Sequence, residues 1–191
     1  MSGTYPATPE FSAVKLESLQ PNIVTETRTG RRQVRSVGGQ RWAFTAKYND
    51  FTRAEFMPVY AFVLAQAGQL ETFTIVPPVI SSTSGTATGS VTSSAASIGA
   101  TSVTIAGLTG TLKAGDFVKF ASHTKVYMVT ADRSGAGAMS IIPALVTATG
   151  AGGAVTYNSV PFTVRLNNDL QSYSLSGYDR YTYEIDMVEA L

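Results

Sequence analysis

At 191 residues, with 44% hydrophobic and 14% charged residues, the chain can bury a real core and is not a disordered acidic or basic protein. A formal net charge of +1 supplies no global field for nucleic acid or a membrane surface, and the absence of cysteine excludes disulfides and thiolate metal sites. No apolar run reaches bilayer-spanning length, and MSGTYPATPEFSAVKLE lacks the basic-then-apolar order of a signal peptide, so a soluble protein made in the cytoplasm is expected.

Residues 1–22 carry Pro6, Pro9 and Pro21 without sustained periodicity, which predicts an extended arm with a short strand at Ala13 to Leu16. From Ile23 to Val37 the sequence is β-like but polar, with Thr29-Gly30 as a hairpin tip. Arg28, Arg31, Arg32 and Arg35 gather around that tip, and Arg41 follows the Gly38-Gly39 break. A long arginine-rich hairpin buries little of itself; such an arm reaches a neighbour or lines a channel.

Gln40 to Lys47 alternates, with Trp42, Phe44 and Ala46 on one face and Arg41, Thr45 and Lys47 on the other, as a half-buried strand requires. A helix follows, opened by the capping-box spacing of Thr52 and Glu55. Phe56, Val59, Tyr60, Val63 and Leu64 recur on one helical face, Pro58 predicts a kink or a restarted turn, and Gly68 supplies a left-handed end. Leu70 to Val76 then reads as a strand, stopped by Pro77-Pro78.

Ser81 to Ser97 is almost wholly Ser, Thr, Gly and Ala and reads as a linker or surface loop. A compact β segment comes next: strands at Thr101 to Ala106, Asp116 to Phe120, Lys125 to Thr130 and Met139 to Ile142, separated by turns at Gly110 to Gly115 and Arg133 to Gly137. Short strands at that spacing predict a small barrel or sandwich, closed by the glycine-rich Thr147 to Gly153. Strands return at Val160 to Leu166, Ser172 to Ser176 and Arg180 to Glu189, the last with Tyr181, Tyr183, Ile185 and Met187 on one face. The economical reading is mainly β: a discontinuous β-sandwich or barrel domain, residues 1–78 and 158–191, with one packed helix, carrying an inserted small β-barrel domain at 79–157.

Little here suggests catalysis. His123, the sole histidine, lies in FASHTKVY with only Asp116 and Asp132 nearby in sequence, and a turn or surface position is expected for it. The carboxylates are scattered singly, no glycine-rich stretch has the Gly-Lys-Ser/Thr of a phosphate loop, and no Gly-X-Ser-X-Gly elbow occurs. No enzyme, cofactor or metal is expected. The arginines offer the sharper alternative of holding phosphates, but without interleaved aromatics or a groove-entering helix the favoured use is pairing with an adjacent subunit or solvating the hairpin. Tyr173, Tyr178, Tyr181 and Tyr183 supply aromatic surface for a core or subunit contact rather than a sugar platform.

The pattern GGQRWAF, a short spacer and TRAEFMPVYAFVLAQAGQLETFTIVPP, with RYTYEIDMVEAL closing the chain, resembles the distal tail proteins of tailed bacteriophages. Tail tube and related baseplate proteins share that fold. The segment TLKAGDFVKFASHTKVYMVTADRSGAGAMSIIPAL is similar to small β domains carried on phage virion proteins. The resemblance implies a tail-tube-like, ring-forming belt domain in a virion tail assembled in the host cytoplasm. It further implies six copies around a channel, a tail tube protein and baseplate-hub or tail-tip proteins as partners, and DNA passing without specific binding, with no membrane involved. Carried over by position, Arg28, Arg31, Arg32, Arg35 and Arg41 would form the subunit interface, supported by a core of Trp42, Phe44 and Phe56. The insert does not clearly match the large carbohydrate-binding C-terminal domain of bigger members, which speaks against direct binding of host sugar. Three alternatives follow: a tail tube or tail-terminator subunit, a carbohydrate-binding module using segment 98–146 and Tyr127, and a cell-wall hydrolase depending on His123 or a carboxylate.

Overall fold

The computed structural model describes residues 3–191. In chain order come β1 (Ala13–Leu19), β2 (Asn22–Glu26), β3 (Arg32–Ser36), β4 (Arg41–Phe51), the helix α1 (Arg53–Ala65) and β5 (Phe73–Ile75). Then follow β6 (Thr92–Ser93), β7 (Ser102–Ala106), β8 (Thr111–Leu112), β9 (Phe117–Phe120), β10 (Val126–Val129), β11 (Arg133–Ser134), β12 (Gly137–Ile142) and β13 (Gly153–Thr156). The last strands are β14 (Phe162–Leu166), β15 (Tyr173–Ser176) and β16 (Arg180–Glu189). The fold is mainly β, as the periodicities predict.

Strand order β1-β4-β16-β14-β5 makes one antiparallel sheet, and β15 adds to β16 beside the end that β14 leaves free. The two long central strands explain its position. In β4, Trp42, Phe44, Ala46 and Tyr48 are buried, and in β16 Tyr181, Tyr183, Ile185 and Met187 are buried on the same face. Each such large side chain contributes on the order of 1.5–3 kcal/mol by leaving water. A bulge interrupts the β4–β16 pairing between Tyr181 and Tyr183, with Asp50 in a left-handed conformation. The helix α1 covers the buried face through Phe56, Val59 and Val63, and the Phe56 ring stacks on Tyr181 at 5.3 Å.

The strands β6 to β13 lie between β5 and β14 in sequence. Six of them close a barrel in the order β10-β12-β7-β6-β13-β9, while β8 and β11 pair separately. Val103, Ile105, Val118, Phe120, Tyr127, Val129, Met139 and Ile141 fill it. The β9–β10 hairpin is buried on both faces, because Val118, Phe120, Tyr127 and Val129 face the barrel while Phe117 and Val126 join the core of the large sheet. Trp42 packs edge-on to Phe117 at 5.1 Å and donates its indole N–H to the Val126 carbonyl at 2.8 Å.

An ion pair seals that seam. Glu189 is fully buried and Lys125 is 3% exposed, and the lysine ammonium donates to the glutamate. The same carboxylate accepts the Val126 N–H at 2.8 Å and the Trp42 N–H at 3.1 Å, so both oxygens are used. Burial pulls the Lys125 ammonium below its ordinary pKa against the opposing attraction of Glu189.

Several local expectations are corrected. Ser81 to Ser97 is no linker: Thr86 N–H donates to Thr111 O at 3.0 Å, Thr88 and Thr109 exchange bonds at 2.8 and 2.9 Å, and the stretch contains β6. Small side chains let this backbone lie directly on the barrel; a Cβ on Gly110 would stand 2.2 Å from Thr86 O. In the N-terminal arm the strand expected at Ala13 to Leu16 is present and extends to Leu19, and the residues before it are tied down, since Thr4 bridges to Thr74 and Tyr5 is buried. The strand expected over Leu70 to Val76 shrinks to β5, the turn at Gly110 to Gly115 contains β8, and β13 was not foreseen. The helix continues through Pro58 as one element, Leu64 on its expected apolar face is exposed, and the left-handed turn begins at Ala67 before Gly68. The capping box expected of Thr52 and Glu55 is present, and Glu55 accepts both the N–H and the hydroxyl of Thr52, at 3.0 and 2.7 Å.

Candidate functional site

The β2–β3 hairpin is where this chain leaves surface unused. Its pairing runs from Asn22 with Ser36 to Glu26 with Arg32, and Thr27 N–H to Arg31 O at 2.9 Å closes the tip. Every residue of both strands is exposed. Side chains alternate between the two faces of such a ribbon, yet Ile23, Val24 and Val34 all stay in contact with water. A two-stranded ribbon with neither face covered is marginal by itself. Arg28, Arg31, Arg32 and Arg35, with Arg41 at its base, face the single Glu26, so this end is basic although the whole chain is nearly neutral. None of these five arginines forms an ion pair within the described chain.

The three supporting aromatics lie elsewhere. Trp42, Phe44 and Phe56 are buried in the core of the large sheet, Trp42 and Phe44 on β4 directly after the hairpin and Phe56 on α1. Gly38 and Gly39, both left-handed, carry the chain from β3 into β4. Beside them runs a cleft of about 310 Å³ between the hairpin base (Pro21, Ser36, Gly38, Gly39, Gln40) and the barrel residues Ile142, Pro143 and Val146. Gln40 is 6% exposed; its Nε2 donates to Ser18 Oγ at 2.9 Å and its Oε1 has no partner among the described residues. Sequence reasoning missed this cleft, because its walls are apart in sequence. Glu189 did leave a signal: it occupies the inward phase of the Tyr181-Tyr183-Ile185-Met187 alternation, where a carboxylate must have buried partners.

The four tyrosines separate into two uses. Tyr181 and Tyr183 are buried against Phe56, and Tyr173 packs edge-on to Tyr60 at 5.0 Å. Tyr178 is fully exposed at the tip between β15 and β16.

His123 is not at the surface. The Tyr127 hydroxyl accepts Val146 N–H at 3.2 Å and lies 2.9 Å from His123 Nδ1, to which it donates; Nε2 faces Ala148 O at 3.4 Å. Burial lowers the pKa of this imidazole, opposed by the Ala148 carbonyl, so the ring is a neutral bridge between loops. Asp116 and Asp132 are occupied elsewhere: Asp116 accepts from Thr83, Ser84 and Lys113, and Asp132 from Lys113 and Ala114. His123 thus lies in the turn between β9 and β10, as one of the two expected positions has it, and the surface alternative is corrected to a buried, structural side chain. Tyr127 is fully buried as well, so it has no face on which a sugar ring can stack. Among the described residues no cluster of three or more His, Asp or Glu is placed to hold a metal, and no helix is long and apolar enough to cross a membrane.

Residues 81–160 match the family model of the B domain of distal tail protein pb9. That span takes in β6 to β13, the six barrel strands among them. No curated protein matches the chain. Residues 81–160 are thus similar to a distal tail protein B domain, and that match supports the resemblance of the chain to the bacteriophage distal tail proteins.

Proposed function

We propose that copies of this chain form the distal tail ring of the virion, a baseplate-hub ring of six that joins the tail tube to the tail tip. Residues 1–78 and 158–191 would make the belt of the ring, and 79–157 would be displayed on it. DNA would pass through the channel without specific binding. The protein works by assembly and carries no reaction.

The observation that supports this reading best is the β2–β3 hairpin, exposed on both faces and rich in unpaired arginine. Ordering such a ribbon costs conformational entropy that its own contacts do not repay, so a neighbour's surface is the natural source of stabilisation. Among the described residues the outer edge of β1 is also unpaired over seven residues, and ring closure is one way to cover such an edge. Lys15 and Glu17 pair with each other along it, which limits open-ended strand addition.

The test is the mass of the purified protein in solution with negative-stain images of the same sample. Single closed rings are expected. Replacing Arg28, Arg31, Arg32 and Arg35 together by Glu should dissolve them while leaving subunit stability within about 0.5 kcal/mol, as for exposed positions without local partners. Stacking of rings into tubes would instead identify a tail tube subunit, and a monomer at high concentration would overturn self-assembly.

A further inference from the structure

The hairpin and its cleft lie at one end of the large sheet, and the exposed Tyr178 lies at the other. In the sheet register Leu19 stands opposite Arg41 and Tyr181 opposite Phe51, so the full length of β4, about 30 Å, separates them. One copy cannot bring the two together.

Tyr178 has the marks of a group held out for contact. Its side chain touches solvent on all sides, with Leu175 exposed beside it. Tyr178 and Asp179 both have positive φ, 67° and 58°, a conformation that burdens a bulky L residue and usually falls to glycine or asparagine. The turn is held by Asp179, which accepts Arg53 N–H at 3.3 Å, and by Arg180, which donates to Asp50 O at 3.0 Å. Asp50, Glu55 and Asp179 stand at this end against Arg53 and Arg180, leaving it slightly acidic, whereas the hairpin end has five arginines against Glu26.

The cleft suits a phenol. Pro21, Ile142, Pro143 and Val146 give apolar walls and about 310 Å³ is open beside Gln40. We propose that Tyr178 of one copy seats in the cleft between the β2–β3 hairpin and the barrel of the next copy, bringing the acidic end of the first against the arginines of the second. The inference rests on the ring reading above and names the two surfaces that meet. Because they differ, the contact is head-to-tail, the kind that closes into a ring when the rotation per subunit allows it. It also gives the barrel a role in assembly, since β12 and the residues after it form one wall.

The chain has no cysteine, so an engineered pair reports on this contact alone. A copy carrying Tyr178→Cys and Ala144→Cys, the latter on the cleft wall beside Pro143, oxidised and run without reductant, should give a ladder of covalent multimers ending at the ring size. Either substitution alone should give no species beyond a dimer. In parallel, Tyr178→Ala in the otherwise natural chain should weaken association at least tenfold by native mass, as expected for an aromatic anchor. Rings that form without a ladder, and that survive Tyr178→Ala, would overturn this contact and leave the ring standing. Absence of both rings and ladder would overturn the ring and this contact together.

Discussion

Removing the Glu189 carboxylate should unfasten the barrel from the sheet. Glu189→Leu strips Lys125 of its counter-charge in a site where the lysine is 3% exposed, and leaves the N–H groups of Trp42 and Val126 without their acceptor. Breaking one side of a buried ion pair costs about 3–5 kcal/mol, and each abandoned donor about 1–3 kcal/mol; the terms share one group and do not simply add. A loss of roughly 4–6 kcal/mol is expected, a large part of the ~5–15 kcal/mol that holds a domain folded. Adding Lys125→Met removes the stranded ammonium and should restore about 2–3 kcal/mol, the two N–H groups remaining unmatched. Urea denaturation followed by tryptophan emission suits the question, because Trp42 is the sole tryptophan and sits in the seam against Phe117. The midpoint of Glu189→Leu should fall by about 2 M for a slope near 2–3 kcal/mol/M. A loss below about 1 kcal/mol, or a double variant no more stable than Glu189→Leu, would refute the assignment of this pair as the seam's polar lock.

Three further outcomes follow from the barrel. Gly110→Ala would drive its Cβ to 2.2 Å from Thr86 O at a φ of +79°, and should cost at least about 2 kcal/mol in urea unfolding, whereas the same change at Gly135, with open space around it, should cost less. Burial pushes the Asp116 carboxyl up, but hydrogen bonds from Ser84, Thr83 and Lys113 together hold it below its ordinary value of 3.8. Its folded pKa being depressed, its contribution is complete above that value and disappears as pH falls through the lower folded pKa. Thermal unfolding followed as pH falls from about 5 should show an acid limb that flattens in Asp116→Asn. Tyr127→Phe deprives both His123 Nδ1 and Val146 N–H of their partner and should lower stability by about 1–3 kcal/mol, with faster amide exchange at Val146.

The sequence by itself determined the strand pattern of the large sheet. Trp42, Phe44 and Ala46 alternate, and so do Tyr181, Tyr183, Ile185 and Met187, because a pleated strand with one wet face admits only a two-residue period. The exposed arginine hairpin was legible for the converse reason, since a polar ribbon has no face to bury. The resemblance to distal tail proteins was legible too, and the family match to residues 81–160 agrees with it. Tertiary structure decided what composition misreads. Ser81 to Ser97 looks flexible because its side chains cannot make a core, yet its backbone hydrogen bonds make it barrel wall. His123 looks exposed because polar residues flank it, but Tyr127 from the next strand and Ala148, 25 residues on, enclose it. The Lys125–Glu189 seam and the Gln40 cleft each join residues dozens of positions apart, and the pairing of such residues is fixed only when the sheet and the barrel close on one another.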